Sequence, residues 1–187
     1  MFSELAKECR SARTFFPKEK IPRKDLEYIV DTARISASAR NLQRVRYAII
    51  EGKEADETFS NIGLGGALKP EEKPKYEDRA PAYILLLAPS SDADMNLYID
   101  LGIAAEVIML AAKDKGYSGC IIRSFKSEFM ASLVNSSEYS PVLLIALGKS
   151  GESAEIKNIS DGESVNYYKA NGKHIVPKYS LETVLLK

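Results

Sequence analysis

One histidine, two cysteines, no net charge and no long apolar run: each of these scarcities closes off a class of function. With 26 Lys and Arg against 26 Asp and Glu in 187 residues, there is no electrostatic case for a nucleic-acid binder. His174 stands alone in a polar stretch with no nucleophile beside it. An imidazole-based triad therefore cannot be assembled, and a surface position is expected for this residue. Cys9 and Cys120 are too few for a disulfide framework or a zinc site, and no metal site is expected. Cys120 falls in an expected buried strand, where a thiol behaves as a small apolar group. The longest unbroken apolar run, Ala82–Ala88, is far shorter than the roughly 20 residues a bilayer span needs, so no membrane role is expected. Met1 to Arg10 holds no apolar signal core, which leaves a reducing cytoplasm as the expected location. No catalytic side chain is nominated. If the chain is an enzyme, a cofactor must supply most of its chemistry.

What is present suits one domain over residues 1–187, with 45% hydrophobic and 28% charged residues. Charge is uneven: Met1 to Arg46 holds eleven basic residues against six acids, a local excess that fits either a solvated face or a phosphate-bearing ligand. Apolar spacing predicts a short helix ending near Arg10 and a second opened by Pro22, with Leu26, Ile29, Val30 and Ala33 as its stripe. Tyr47–Glu51 reads as a strand, Glu54–Asn61 as weakly helical, and the charged, proline-bearing Lys69–Arg79 as a surface loop. Strands at Tyr83–Ala88, Gly119–Ile122 and Val142–Gly148 alternate with helices at Asn96–Lys115 and Ser127–Val134. The first of those helices is apolar on nearly every side, as in a core or at a subunit contact. Beyond Gly148 the chain is polar and reads as irregular up to Lys173. Taken alone, this alternation suggests a doubly wound α/β sheet.

Gly63-Leu64-Gly65-Gly66 fails as a dinucleotide fingerprint, because the sixth position is Leu68 and a helical segment precedes the glycines. Three other segments stand out. In Cys9-Arg10-Ser11-Ala12-Arg13-Thr14-Phe15, two guanidinium groups flank a hydroxyl, a set that suits phosphate oxygens. Ser36-Ala37-Ser38-Ala39-Arg40-Asn41-Leu42-Gln43 combines small residues with two amides able to read a heterocycle edge. Val176-Pro177-Lys178-Tyr179-Ser180-Leu181-Glu182 holds a lone cation on a Pro-stiffened tail.

In order along the chain, these segments resemble the FMN-dependent nitroreductase family, with its RRSxRxF start and PSxxNxQPWxF-like segment. The family's DxGxAAxxxxLAAxxxGxGxC unit is matched by Asp100 to Ala105, Gly116, Gly119 and Cys120. Its PVxxIALG strand is matched by Pro141–Gly148, and its HxVPKRSLEE ending by His174–Glu182. The resemblance implies an α+β fold in place of the α/β expectation: a central, mostly antiparallel sheet flanked by helices, a long interface helix, and a C-terminal arm exchanged in a homodimer. It also implies FMN as cofactor, NAD(P)H as hydride donor and a small organic acceptor such as a nitroaromatic or quinone.

Residue by residue, the resemblance implies Arg10 at the flavin phosphate, with Ser11 close by, and Arg13 at the pyrimidine edge. Ser38 and Asn41 would reach the flavin from the other subunit, with Gln43 structural. Ile122, Arg123 and Ser124 would follow the strand that brings a backbone N–H to N5, and Lys178 would be the tail cation. The sequence departs from the pattern at Cys9 and Tyr179, where cations are usual, at Arg44-Val45, where the Pro-Trp pair stands, and at Arg123. These departures make a non-catalytic FMN-binding or interaction protein of the same fold the alternative reading.

Overall fold

Two apolar strands form the centre of the sheet in the computed structural model, which describes residues 1–66, 68–91 and 94–186. They are β2 (Ala82–Pro89) and β4 (Tyr139–Gly148), paired antiparallel with an irregularity in register between Leu86 and Leu87. The flanking strands β1 (Arg46–Glu51) and β3 (Ser118–Ile122) are also antiparallel to their neighbours, giving the order β1-β2-β4-β3. On β2, Ala82, Ile84, Leu86 and Ala88 face one core, and Tyr83, Leu85 and Leu87 face the other. A strand covered on both faces has no polar side, which explains its unbroken apolar run.

The first core lies under α2 (Arg23–Arg34) and α4 (Met95–Asp114), with α1 (Phe2–Glu8) packed on α4. Pro22 sits at the N-cap of α2, and Leu26, Ile29 and Ala33 are fully buried, as the stripe predicts. The second core is closed by α3 (Gly52–Phe59), α5 (Ser127–Ser132) and Phe15. The charged stretch at 69–79 is a surface segment with two short 3-10 turns, Pro70–Glu72 and Tyr76–Asp78.

The α+β architecture with an antiparallel central sheet agrees with the family expectation and corrects the doubly wound one. The strand–helix–strand unit β2-α4-β3 is real, but β4 enters between its two strands, antiparallel to both. Apolar runs report that both faces are covered; they carry no information on strand direction.

Helix α4 buries Leu97, Leu101, Ala104, Ala105, Ile108 and Ala112 against the sheet, each leucine or isoleucine contributing about 1.5–3 kcal/mol. Its opposite side is open, with Met95, Tyr98 and Ile99 more than half exposed. By length and composition α4 would pass for a membrane span, yet half of it packs into the core and it carries the buried Asp100.

The C-terminal region is not irregular. Strands β5 (Ala154–Ile159), β6 (Tyr168–Ala170) and β7 (Lys173–Tyr179) form a second sheet, ordered β5-β7-β6, with β5 and β7 parallel. It ends in a short helix, α6 (Leu181–Val184). Polar side chains masked these strands because both faces of the small sheet are largely solvated: β5 has a single buried residue, Ile159.

Candidate functional site

The segment after α1 runs alongside β3. Ser11 bridges Gly119 in parallel, and the Ala12 N–H donates to the Gly119 carbonyl at 2.9 Å. Gly119 is required there: a Cβ would lie 2.7 Å from Met109 Sδ and 3.1 Å from the Ala146 carbonyl oxygen. Phe15, buried in the second core, anchors the far end. Arg10 and Arg13 thereby flank a single bridge residue, Ser11, beside β3. Arg10 Nη2 donates to the Ala6 carbonyl at 2.6 Å, closing α1, while its buried Nε has no partner. Arg13 Nη1 donates to the Ser11 carbonyl at 3.3 Å, and its guanidinium lies 4.5 Å from the Tyr167 ring centre. Cys9, where the family pattern usually has a cation, is buried in the first core, and burial raises its thiol pKa. Cys120 is buried as expected and is shifted up for the same reason.

The second segment is a tight loop whose backbone enters the left-handed region at Arg40, Asn41 and Gln43, with φ of 52°, 55° and 49°. For non-glycine residues this is strained backbone that its surroundings must hold. Asp100, only 3% exposed, accepts from the Ala39 N–H at 2.9 Å; Ser38 Oγ accepts from the Gln43 N–H at 3.2 Å; Gln43 Nε2 donates to the Asn41 carbonyl. Gln43 thus bonds within its own loop and also lines the cavity beside it. Ser38 and Asp100 line a cavity of about 270 Å³ with Ala37, Arg46 and Tyr47, and Asp100 Oδ2 is buried without a partner. Arg44 ties the loop to α4, donating to Asp94 Oδ1 at 2.7 Å. The same oxygen caps the helix at the Leu97 N–H, and the Arg44 bond holds the Asp94 carboxyl below its ordinary pKa.

The third part is the loop after β3. Ile122 is buried, while Arg123 and Ser124 are exposed. The Ser124 carbonyl accepts from the Gly63 N–H at 2.8 Å, and Ile62 bridges Phe125. Gly63 packs closely here, since a Cβ on it would lie 2.6 Å from Ser124 Oγ and 3.1 Å from Ser124 Cβ, whereas Gly66 has open space around it.

Arg10, Ser11 and Arg13 therefore share β3 with Ile122–Ser124. Ser38 and Asn41 belong to the α4 side, and among the described residues no hydrogen bond or ion pair joins them to Arg10, Ser11 or Arg13. Nor does one join Lys178, which is exposed on β7 opposite Asn158. His174 corrects the surface expectation: it is 5% exposed, its ring packs edge-on to Tyr167, and burial lowers its pKa, with Arg13 adding to the effect. Glu152 and Tyr167 were not singled out by sequence, and Asp100 entered only as part of a matched motif, not as a site residue. Asp100 had a signal, a carboxylate in an apolar helix; Glu152 and Tyr167 had none, being joined to Arg13 only through the fold.

Residues 6–149 match the model of the nitroreductase family. The chain belongs to that family. Across 83% of its length it is 26% identical to the Bacillus subtilis protein named "Putative NAD(P)H nitroreductase YodC", covering 92% of that protein. It also matches the crystal structure of a nitroreductase family protein from Clostridium novyi NT. That match has 26% identity and a TM-score of 0.66, over 80% of this chain and 84% of the other. An FMN-dependent nitroreductase from Clostridium difficile R20291, 23% identical, shares the fold with a TM-score of 0.64, over 82% of this chain and 89% of the other. The family match ends at Lys149, so the C-terminal sheet lies beyond it.

Proposed function

We propose that residues 1–187 form one FMN-binding domain of a cytoplasmic oxidoreductase that takes hydride from NAD(P)H and reduces a small organic acceptor, such as a nitroaromatic or quinone, in two half-reactions. The observation that carries this reading is the Arg10-Ser11-Arg13 segment laid along β3 in a nitroreductase-family fold, with Arg10 Nε buried and without a partner. A guanidinium N–H with no acceptor suits an anionic oxygen, and the donor set of two arginines and a serine suits a flavin phosphate and pyrimidine edge.

FMN, when bound, supplies the hydride chemistry; the protein supplies binding and electrostatics. Arg10 and Ser11 hold the phosphate side. Arg13 offers positive charge where a reduced flavin is richest in electrons. The backbone of Ile122-Arg123-Ser124, steadied by Gly63, offers its N–H groups at the other end of β3. Lys178 adds a cation from the tail. Ser38 and Asn41 complete the site from a second subunit, docked through the open side of α4, where Met95, Tyr98, Ile99 and Ile103 are exposed. The apolar Leu181, Val184, Leu185 and Leu186, all exposed in the single chain, suit an arm that packs on that second subunit.

The alternative, a non-catalytic FMN-binding or interaction protein, is favoured by Cys9, which lies in the core and leaves the phosphate one cation short. An absorbance spectrum before and after anaerobic addition of NADH and NADPH decides between them. The oxidoreductase reading expects a yellow protein bleached by one of the nucleotides and recoloured by a quinone. A yellow protein that neither nucleotide bleaches would leave only the binding role.

A further inference from the structure

Beyond the family-matched residues the chain turns back along the arginine segment. The Phe16 N–H donates to the Lys149 carbonyl at 2.9 Å. Three residues on, Glu152 Oε2 accepts from two successive backbone N–H groups, those of Arg13 at 2.6 Å and Thr14 at 3.3 Å. Tyr167, just before β6, then lays its ring against the Arg13 guanidinium at 4.5 Å. The Tyr167 and His174 rings meet edge-to-face at 5.3 Å and 79°, and His174 is held in β7 by its N–H donating to the Ser153 carbonyl at 2.8 Å. The contacts form one chain: the small sheet fixes His174, His174 touches Tyr167, and Tyr167 faces Arg13.

An arginine side chain on a solvated edge samples many rotamers, and a cation so spread exerts little directed field. Here the backbone is clasped by a carboxylate and the guanidinium is held between an aromatic face and its own segment, through Nη1 to the Ser11 carbonyl. We propose that Glu152 and Tyr167 are positioning residues for Arg13, Glu152 fixing its backbone and Tyr167 its guanidinium. By this means the C-terminal sheet tunes how strongly the bound cofactor holds negative charge. This rests on the reading of Arg13 as a flavin residue, although the fixing of the side chain does not.

Two readouts separate these layers. In flavin-free protein, the Arg13 Nε–Hε NMR signal should show a ring-current shift that persists in Tyr167→Phe and vanishes in Tyr167→Leu. With FMN, Tyr167→Leu should raise the ratio of reduced to oxidised FMN dissociation constants about threefold, the scale of an exposed cation–aromatic contact, while Tyr167→Phe leaves it unchanged. A merely structural loosening would weaken both redox states alike and leave that ratio fixed. An unshifted Arg13 signal in the wild type, or an unchanged ratio in Tyr167→Leu, overturns the proposal. A shifted signal in a wild-type protein that takes up no FMN overturns the flavin reading and leaves the fixed arginine standing.

Discussion

Arg10 and Arg13 lie three residues apart yet have different neighbours, and so different expected roles. Arg10 is drawn inward to the Ala6 carbonyl with a spare buried N–H, whereas Arg13 lies under Tyr167. Arg10→Ala should weaken FMN binding by about 1.5–3 kcal/mol, the range for charge-assisted hydrogen bonds. Arg13→Ala should cost less oxidised-FMN affinity and should lower the reduction potential of the bound flavin. Titration of flavin-free protein and potentiometry of both variants check this pair; unchanged affinity and potential in both would remove the arginines from the site. His174 gives a pH dependence with a definite sign. Burial depresses its native pKa below the ordinary 6.5, so on acidification the unfolded chain takes up the proton first. Stability is thus undiminished above about pH 6.5 and is lost as pH falls from there through the depressed native pKa. Amide protection factors in β5–β7, corrected for the intrinsic pH dependence of exchange, should fall as pH drops from about 6.5, and His174→Gln should flatten that response.

The strand β3 is the element on which the candidate site depends, since Ser11 bridges its start and Arg123 follows its end. Gly119→Ala should cost about 1–3 kcal/mol by overpacking against Met109, Leu147 and the Ala146 carbonyl, read as a lowered melting temperature, and should weaken FMN binding by shifting the bridged Ser11 segment. Elements of this kind were readable from sequence wherever burial imposes a period. The stripe of α2, the run of β2 and the length of α4 all reappear within a residue or two of expectation. Strand direction was not readable, because β2 and β4 are buried on both faces and an unbroken apolar run fits either orientation. The small sheet was not readable either. β5 and β6 are largely exposed, and the segments flanking the sheet touch residues 13–16, more than 130 positions earlier in the case of Glu152 and Arg13.

At the scale of the whole molecule, the family motifs were the readable part of the site, and their assembly was not. The Arg10–Arg13 segment and the Ser38–Asn41 loop belong to different sides of one chain, the first along β3 and the second held by α4 through Asp100 and Arg44. On the proposed reading a site that uses both takes two copies, for which the exposed apolar side of α4 and the exposed tail leucines offer surfaces. The central claim, a flavin site completed by a second subunit, is tested most directly by sedimentation velocity of FMN-loaded protein at micromolar concentration, recorded at both protein and flavin wavelengths. The account predicts one boundary at twice the 20.7 kDa chain mass, with the flavin absorbance moving in it. A colourless boundary at 20.7 kDa, with FMN left behind in solution, would contradict it.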